Sequence, residues 1–197
     1  MILQKRIERL EAGLAPAGCC CGHRVIGASE FASFRVDLVA GLTMTGVPEQ
    51  VPPIVPIELP GLLRTPYRAY PVIDHIADKV CALLEVHQRS GGSAIASTRY
   101  RDLLDLVVFA HTATIEAQSL ATALHREASR RRLALPDRLT RPGESQWRAG
   151  YLRVAREAPR LEERDLEAAL ATAGRLIDPV LMEETAGQWD PGVLAWR

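Results

Sequence analysis

Long apolar runs are missing from this chain of 197 residues. None approaches the roughly 20 consecutive apolar residues needed to cross a bilayer, so no spanning helix is expected. The opening, MILQKRIERLEAG, interleaves charged with apolar residues and lacks the unbroken apolar stretch of a secretory signal, which makes the cytoplasm the expected location. There is no excess of either charge: 24 basic residues balance 24 acidic ones, excluding a polycation that binds any nucleic acid it meets. No internal repeat is visible. Lysine is nearly absent, with only Lys5 and Lys79 against 22 arginines. Cysteines in zinc-ligand spacing are missing too. Cys19, Cys20 and Cys21 are adjacent and Cys81 is far away, whereas zinc ligands come as separated pairs. The segment around them reads as a reduced loop, with a cluster involving His23 as the less favoured alternative.

What is present is an ordinary globular composition, 47% hydrophobic and 24% charged, long enough for one core or one core with a small satellite. The charge is unevenly placed. Residues 126–160 hold ten arginines against Glu127, Asp137, Glu144 and Glu157, a local charge of +6 that the rest of the chain offsets.

Periodicity divides the chain into three parts. Residues 1–30 form a weakly specified segment, with a short amphipathic helix over residues 2–14. FASFRVDLVAG, residues 31–41, alternates as a strand does and carries Asp37 on its more polar face. Seven of the 13 prolines fall between residues 42 and 71, which forbids helix and leaves short extended pieces such as VPIEL. Beyond Pro71 the apolar spacing becomes helical through Ile73, Ile76, Ala77, Val80 and Leu84, with Asp74, Asp78 and Glu85 opposite, up to a loop at Ser90, Gly91 and Gly92. A second helix, capped by Ser97 or Thr98, runs through RYRDLLDLVVFAH and is apolar enough to be central. Helices near 114–132, 144–157 and 163–177 follow. The parts are therefore 1–30, 31–71 and 72–197, an α+β chain with a small α/β piece ahead of a helical bundle.

Two sets of residues invite a chemical reading. Lys79 lies at the edge of its helix's apolar stripe, one turn beyond His75. It is either a snorkelling lysine or a point charge for a triphosphate. In the next helix Arg99 can reach Asp102 at i+3 and Arg101 can reach Asp105 at i+4. These are either surface pairs worth tenths of a kcal/mol or carboxylates with a task, Asp102 above all.

The stretch YPVIDHIADKVCALLE, then STRYRDLLDLVVFA, then LIDPVL and WDP, resembles the C-terminal part of the AbiEii-type nucleotidyltransferase toxins of bacterial toxin–antitoxin pairs. IADK and RYRDLLDL are the most specific pieces, and the likeness covers residues 34–197. The resemblance implies a catalytic core like that of DNA polymerase β. It also implies nucleotide transfer from an NTP, a pyrimidine one in some members, to the 3′ end of tRNA, which blocks translation. It implies Mg²⁺ as cofactor and a cognate antitoxin as partner, with no membrane association. Lys79 then matches the phosphate-contacting lysine and Asp102 the later active-site aspartate. FRVDLV matches the core strand, so that Asp37 supports the metal. Arg126, Arg130, Arg131, Arg132, Arg138 and Arg141 would hold the RNA backbone without reading bases. The family's Gly-Ser helix start and D-x-D pair are not supplied by residues 1–33. The expectation is a truncated or wrongly started copy, or a fold whose chemistry has decayed into a non-enzymatic helical module that binds protein or RNA.

Overall fold

The structure, a computed structural model, describes residues 18–26, 29–38, 43–52, 66–85, 87–88, 94–95, 98–140 and 144–197. The helix expected over residues 2–14 and the VPIEL piece lie outside them. The chain divides into two compact units, Met1–Thr43 and Met44–Arg197.

The described part of the first unit is an antiparallel hairpin of β1 (Gly18–Ile26) and β2 (Ser29–Leu38), with Cys19 opposite Asp37 and an irregularity between Arg24 and Val25. The strand expected at FASFRVDL is present. The loop expected at the three cysteines is corrected to a strand. No local period marks that segment because its backbone partners are supplied by another stretch of chain.

The second unit opens with a short ribbon, β3 (Glu49–Val51) against β4 (Tyr67–Ala69). Five helices follow among the described residues: α1 (Val72–Leu84), α2 (Tyr100–Thr112), α3 (Ala117–Arg131), α4 (Glu144–Ala155) and α5 (Leu166–Leu181). The architecture is α+β, as expected. Helix α2 is central and packs on α1, α4 and α5, while α1 also packs on α3. Leu103, Leu106 and Val107 of α2 meet Ile76, Val80, Trp147, Tyr151, Leu176 and Ile177 in one core. Each such side chain contributes about 1.5–3 kcal/mol by leaving water.

Helix α1 departs from its apolar stripe in two ways. It stops at Leu84, six residues before the expected loop, because Glu85 turns extended and the chain enters a small hairpin, β5 (His87–Gln88) with β6 (Ala94–Ile95). Asp74, expected opposite the stripe, is buried. Its two carboxylate oxygens accept the backbone N–H groups of Thr45 and Gly46, both at 2.8 Å. Lying between α2 and α3, α1 is covered on more sides than a single stripe implies.

Helix α2 begins without a side-chain cap, contrary to the expected role of Thr98, whose carbonyl instead accepts the Tyr100 N–H at 2.9 Å. Ser97 lies outside the described residues. Helix α3 is capped by Glu116, whose carboxylate accepts from Gln118 and Ser119, and closes on Arg132 in the left-handed region at φ 56°. Helix α5 is capped by Asp165. The bundle is not purely helical. A three-stranded sheet of β7 (Ile115–Glu116), β8 (Gln188–Asp190) and β9 (Ala195–Trp196) joins the chain's end to the α2–α3 junction.

Helices α2 and α4 approach closely at Gly150. A Cβ there would stand 2.3–2.6 Å from ring atoms of Tyr100, which itself packs edge-on against Trp147 with centroids 5.0 Å apart. Gly150→Ala must displace that ring. Urea titration should show a loss of about 1–3 kcal/mol, the usual cost of overpacking. A variant as stable as the parent would mean that the helices separate freely.

Candidate active site

Two helices bring the site together. Asp102 and Asp105 lie three residues apart and so share a face of α2, which faces Lys79 of α1. The Lys79 ammonium donates to Asp102 Oδ1 at 3.2 Å and to Asp105 Oδ2 at 2.5 Å. The Lys79 and Asp102 side chains are 11% and 13% exposed, against 45% for Asp105. Asp102 Oδ2 is buried and has no hydrogen-bond partner. The Arg99 guanidinium lies close to it, with Nη1 3.7 Å away, beyond hydrogen-bond length.

The electrostatics keep Lys79 charged. Burial on its own would lower its pKa, but the Asp105 hydrogen bond and the charges of Asp105 and Asp102 outweigh it, and the pKa lies above the ordinary lysine value. Lys79 is therefore a fixed cation and not a base near neutral pH. His75, one turn earlier, lies against Phe109 at 5.2 Å and Tyr70 at 6.0 Å between ring centroids. Burial and then the Lys79 charge lower its pKa, so its imidazole is neutral at pH 7.

The structure pairs Lys79 with Asp102 and also corrects the expected local pairing. Arg99 does lie near Asp102. Arg101 does not bond Asp105. It reaches Glu157 beyond α4 at 2.6 Å and leaves Asp105 to Lys79. Pattern reading missed Asp105 as the closest partner of Lys79, and the signal available was its position one turn past Asp102. Asp37 belongs to β2 of the first unit, whereas Lys79, Asp102 and Asp105 belong to the second.

On its other side α1 is held by Arg131 of α3. That guanidinium bonds Asp78, Glu85 at 2.8 Å and Glu127 at 2.5 Å, and its side chain is only 16% exposed. Arg131 of the expected RNA-binding set is thus engaged by three carboxylates of its own chain, through one N–H each of Nε, Nη1 and Nη2. Arg130 is exposed but bound to Glu127 at 2.7 and 2.5 Å. Arg126 reaches the Met44 carbonyl and Thr45 Oγ1, both at 3.4 Å. Arg132 and Arg138 are exposed, and Arg141 lies outside the described residues.

The described residues contain no group of three or more His, Cys, Asp and Glu side chains placed to hold an ion. The carboxylate pair at the site holds the Lys79 ammonium between its two oxygens.

The model of the family "Nucleotidyl transferase AbiEii toxin, Type IV TA system" matches residues 43–172, well over half of the chain. The chain belongs to the AbiEii family. The matched stretch contains IADK and RYRDLLDL, and so both Lys79 and Asp102, while FRVDLV precedes it and LIDPVL and WDP follow it. AbiEii proteins are nucleotidyltransferase-type toxins of type IV toxin–antitoxin systems. No curated protein and no solved structure matches this member.

Proposed function

We propose that this AbiEii chain transfers a nucleotide from an NTP, a pyrimidine triphosphate in the first instance, to the 3′ end of tRNA and so blocks translation. The observation that carries the reading is the Lys79–Asp102 pair, two buried opposite charges from different helices with Asp102 Oδ2 left without a hydrogen bond. Buried groups held in this way are over-represented where chemistry is done. In this reading Lys79 meets the triphosphate, exchanging for a phosphate oxygen the contact with Asp105, its more exposed partner. Asp102 orients the acceptor hydroxyl and takes its proton. The hydroxyl oxygen bonds to the α-phosphorus as the bond to the departing pyrophosphate breaks.

Mg²⁺, when bound, would neutralise phosphate charge, and Asp37 is the residue proposed to support it. The exposed Arg132 and Arg138, together with Arg126 and Arg141, are proposed to contact the RNA backbone, and a cognate antitoxin is the proposed protein partner.

The test is incorporation of radiolabelled nucleotide into tRNA by the full chain with Mg²⁺, compared with Asp102→Asn. Incorporation should be clear in the parent and fall by about 10²–10⁴-fold in the variant, the range for losing a positioned proton acceptor. Equal incorporation by both would remove Asp102 from the chemistry. One observation favours the second reading, a decayed binding module: Lys79 is already neutralised by two carboxylates of its own chain. RNA or antitoxin binding with no incorporation under any nucleotide would establish that reading.

A further inference from the structure

We propose that the turn formed by residues 156–160, at the end of α4, anchors the phosphate backbone of the RNA acceptor through Arg153, Arg156 and Arg160. This deepens the transferase reading and rests on it only for the acceptor's being RNA.

The turn is built without the help of these arginines. Its backbone closes through Glu157 N–H to the Val154 carbonyl at 2.9 Å, Ala158 to Ala155 at 3.2 Å and Leu161 to Ala158 at 3.1 Å. From below, Arg164 donates to the Ala155 carbonyl at 3.0 Å and to the Pro159 carbonyl at 2.5 Å, supplying positive charge where α4 leaves its last carbonyls unpaired. Glu157 then ties the turn to Arg101 at 2.6 Å. The result is an ordered platform joined to the first turn of α2, one residue from Asp102.

Arg153, Arg156 and Arg160 are exposed on or beside this platform and make no hydrogen bond or ion pair among the described residues. Of the carboxylates around the turn, Glu162 is exposed and forms no ion pair among the described residues, so it offsets at most one of the three arginines, and the others are committed elsewhere. Glu157 binds Arg101, Glu163 is buried on Thr172 and His111, Asp165 caps α5, and Glu167 binds Arg148. Other arginines of the basic segment do structural work: Arg148 pairs with Glu167 and Arg131 braces α1. Three unpartnered guanidiniums, Arg153 on the last turn of α4 and Arg156 and Arg160 on the hydrogen-bonded turn after it, fit a repeating anion, since each planar fork matches a phosphate group. The link through Arg101 to Asp102 favours RNA over an acidic protein, because the end of an acceptor strand must reach that carboxylate while its backbone lies alongside.

The experiment is fluorescence anisotropy of labelled, unfractionated tRNA with the full chain across a salt series, without nucleotide. R153Q/R156Q/R160Q is expected to lose at least about tenfold in affinity. Its slope of log K against log salt should flatten by about 2–3, as three phosphate contacts cease to release counterions. The corresponding triple lysine variant should keep the parent slope, and Arg175→Gln, an exposed change on α5, should lose less than about threefold. Parent-like affinity and slope in the glutamine triple would overturn the proposal, as would an equal loss in Arg175→Gln or a flattened slope in the lysine triple. Unchanged tRNA binding with loss of polyglutamate binding would assign the turn to an acidic protein instead. Because binding is read without nucleotide, a chain that holds tRNA through the turn but never incorporates label sinks the transferase reading alone. Incorporation with a silent turn sinks only this inference.

Discussion

Lys79→Met is expected to impair nucleotide transfer and to cost about 3 kcal/mol of stability, the low end of the range for breaking a buried pair. Methionine keeps the length of the side chain and removes the charge. Asp102, 13% exposed, is then left beside Asp105 with no buried cation, while Asp105, 45% exposed, is relieved by water. That contrast is why the lower figure applies. Transfer should fall by about 10²–10³-fold, the size of losing one positioned charge on a developing anion.

The pH dependence separates the two effects. In the parent, Lys79 has a pKa raised by its partners, so its contribution is complete below the unfolded lysine value of about 10.4 and is lost only as pH rises through the higher folded value. Between pH 5 and 9 Lys79 therefore gives the parent no slope. In Lys79→Met the orphaned Asp102 binds its proton more tightly folded than unfolded, so the stability deficit should shrink as pH falls from 7 towards 5. Urea titrations at both pH values check this. K79M/D102L, which removes both charges, should recover most of the lost stability and none of the transfer. Parent-like stability of Lys79→Met at pH 7 would mean that the lysine merely snorkels.

The helices were legible because their signals are local. Apolar spacing at 3.6 residues and the proline and glycine breakers place α2, α3, α4 and α5 within a few residues of their observed bounds. The sheets were not, because pairing reaches across the chain: Ile115 of β7 lies opposite Trp189 of β8, and two- and three-residue strands have no period to detect. The three cysteines failed the same test, since only β2 makes their segment a strand.

At the site, Lys79 and Asp102 could be singled out as rare or misplaced residue types, but their partners could not. The helix-surface rule assigns Asp105 to Arg101, a pair worth tenths of a kcal/mol in water. In the fold, Asp105 sits 2.5 Å from a lysine that is almost out of water, and that contact prevails. Arg131 follows the same logic. On its own helix it has only Glu127, and the partners that bury it, Asp78 and Glu85, come from α1 and the residue after it.

Trp189→Ala should be the most destabilising single change at the end of the chain, costing about 3–5 kcal/mol, the range for emptying a buried tryptophan site. Trp189 is fully buried and meets Trp196 edge-on, with ring centroids 5.6 Å apart. Its indole N–H donates to the Ala110 carbonyl at 2.8 Å. That carbonyl belongs to the last turn of α2, where no intrahelical donor remains, so the indole is its cap. Trp196 makes the parallel bond to the Leu176 carbonyl of α5 at 3.2 Å. The two tryptophans thus staple the terminal sheet onto α2 and α5, and the WDP motif has a packing role. Trp189→Phe keeps most of the buried area but orphans the carbonyl, so its cost should be about 1–3 kcal/mol. Against a total of about 5–15 kcal/mol for an ordinary domain, the alanine variant should have a visibly lowered urea midpoint. Because the staple grips the opposite end of α2 from Asp102, any transfer activity should persist in Trp189→Ala at temperatures where it stays folded. A loss of stability under 1 kcal/mol would show that the terminal sheet peels away freely, and a loss of transfer in the folded variant would show that the staple positions Asp102.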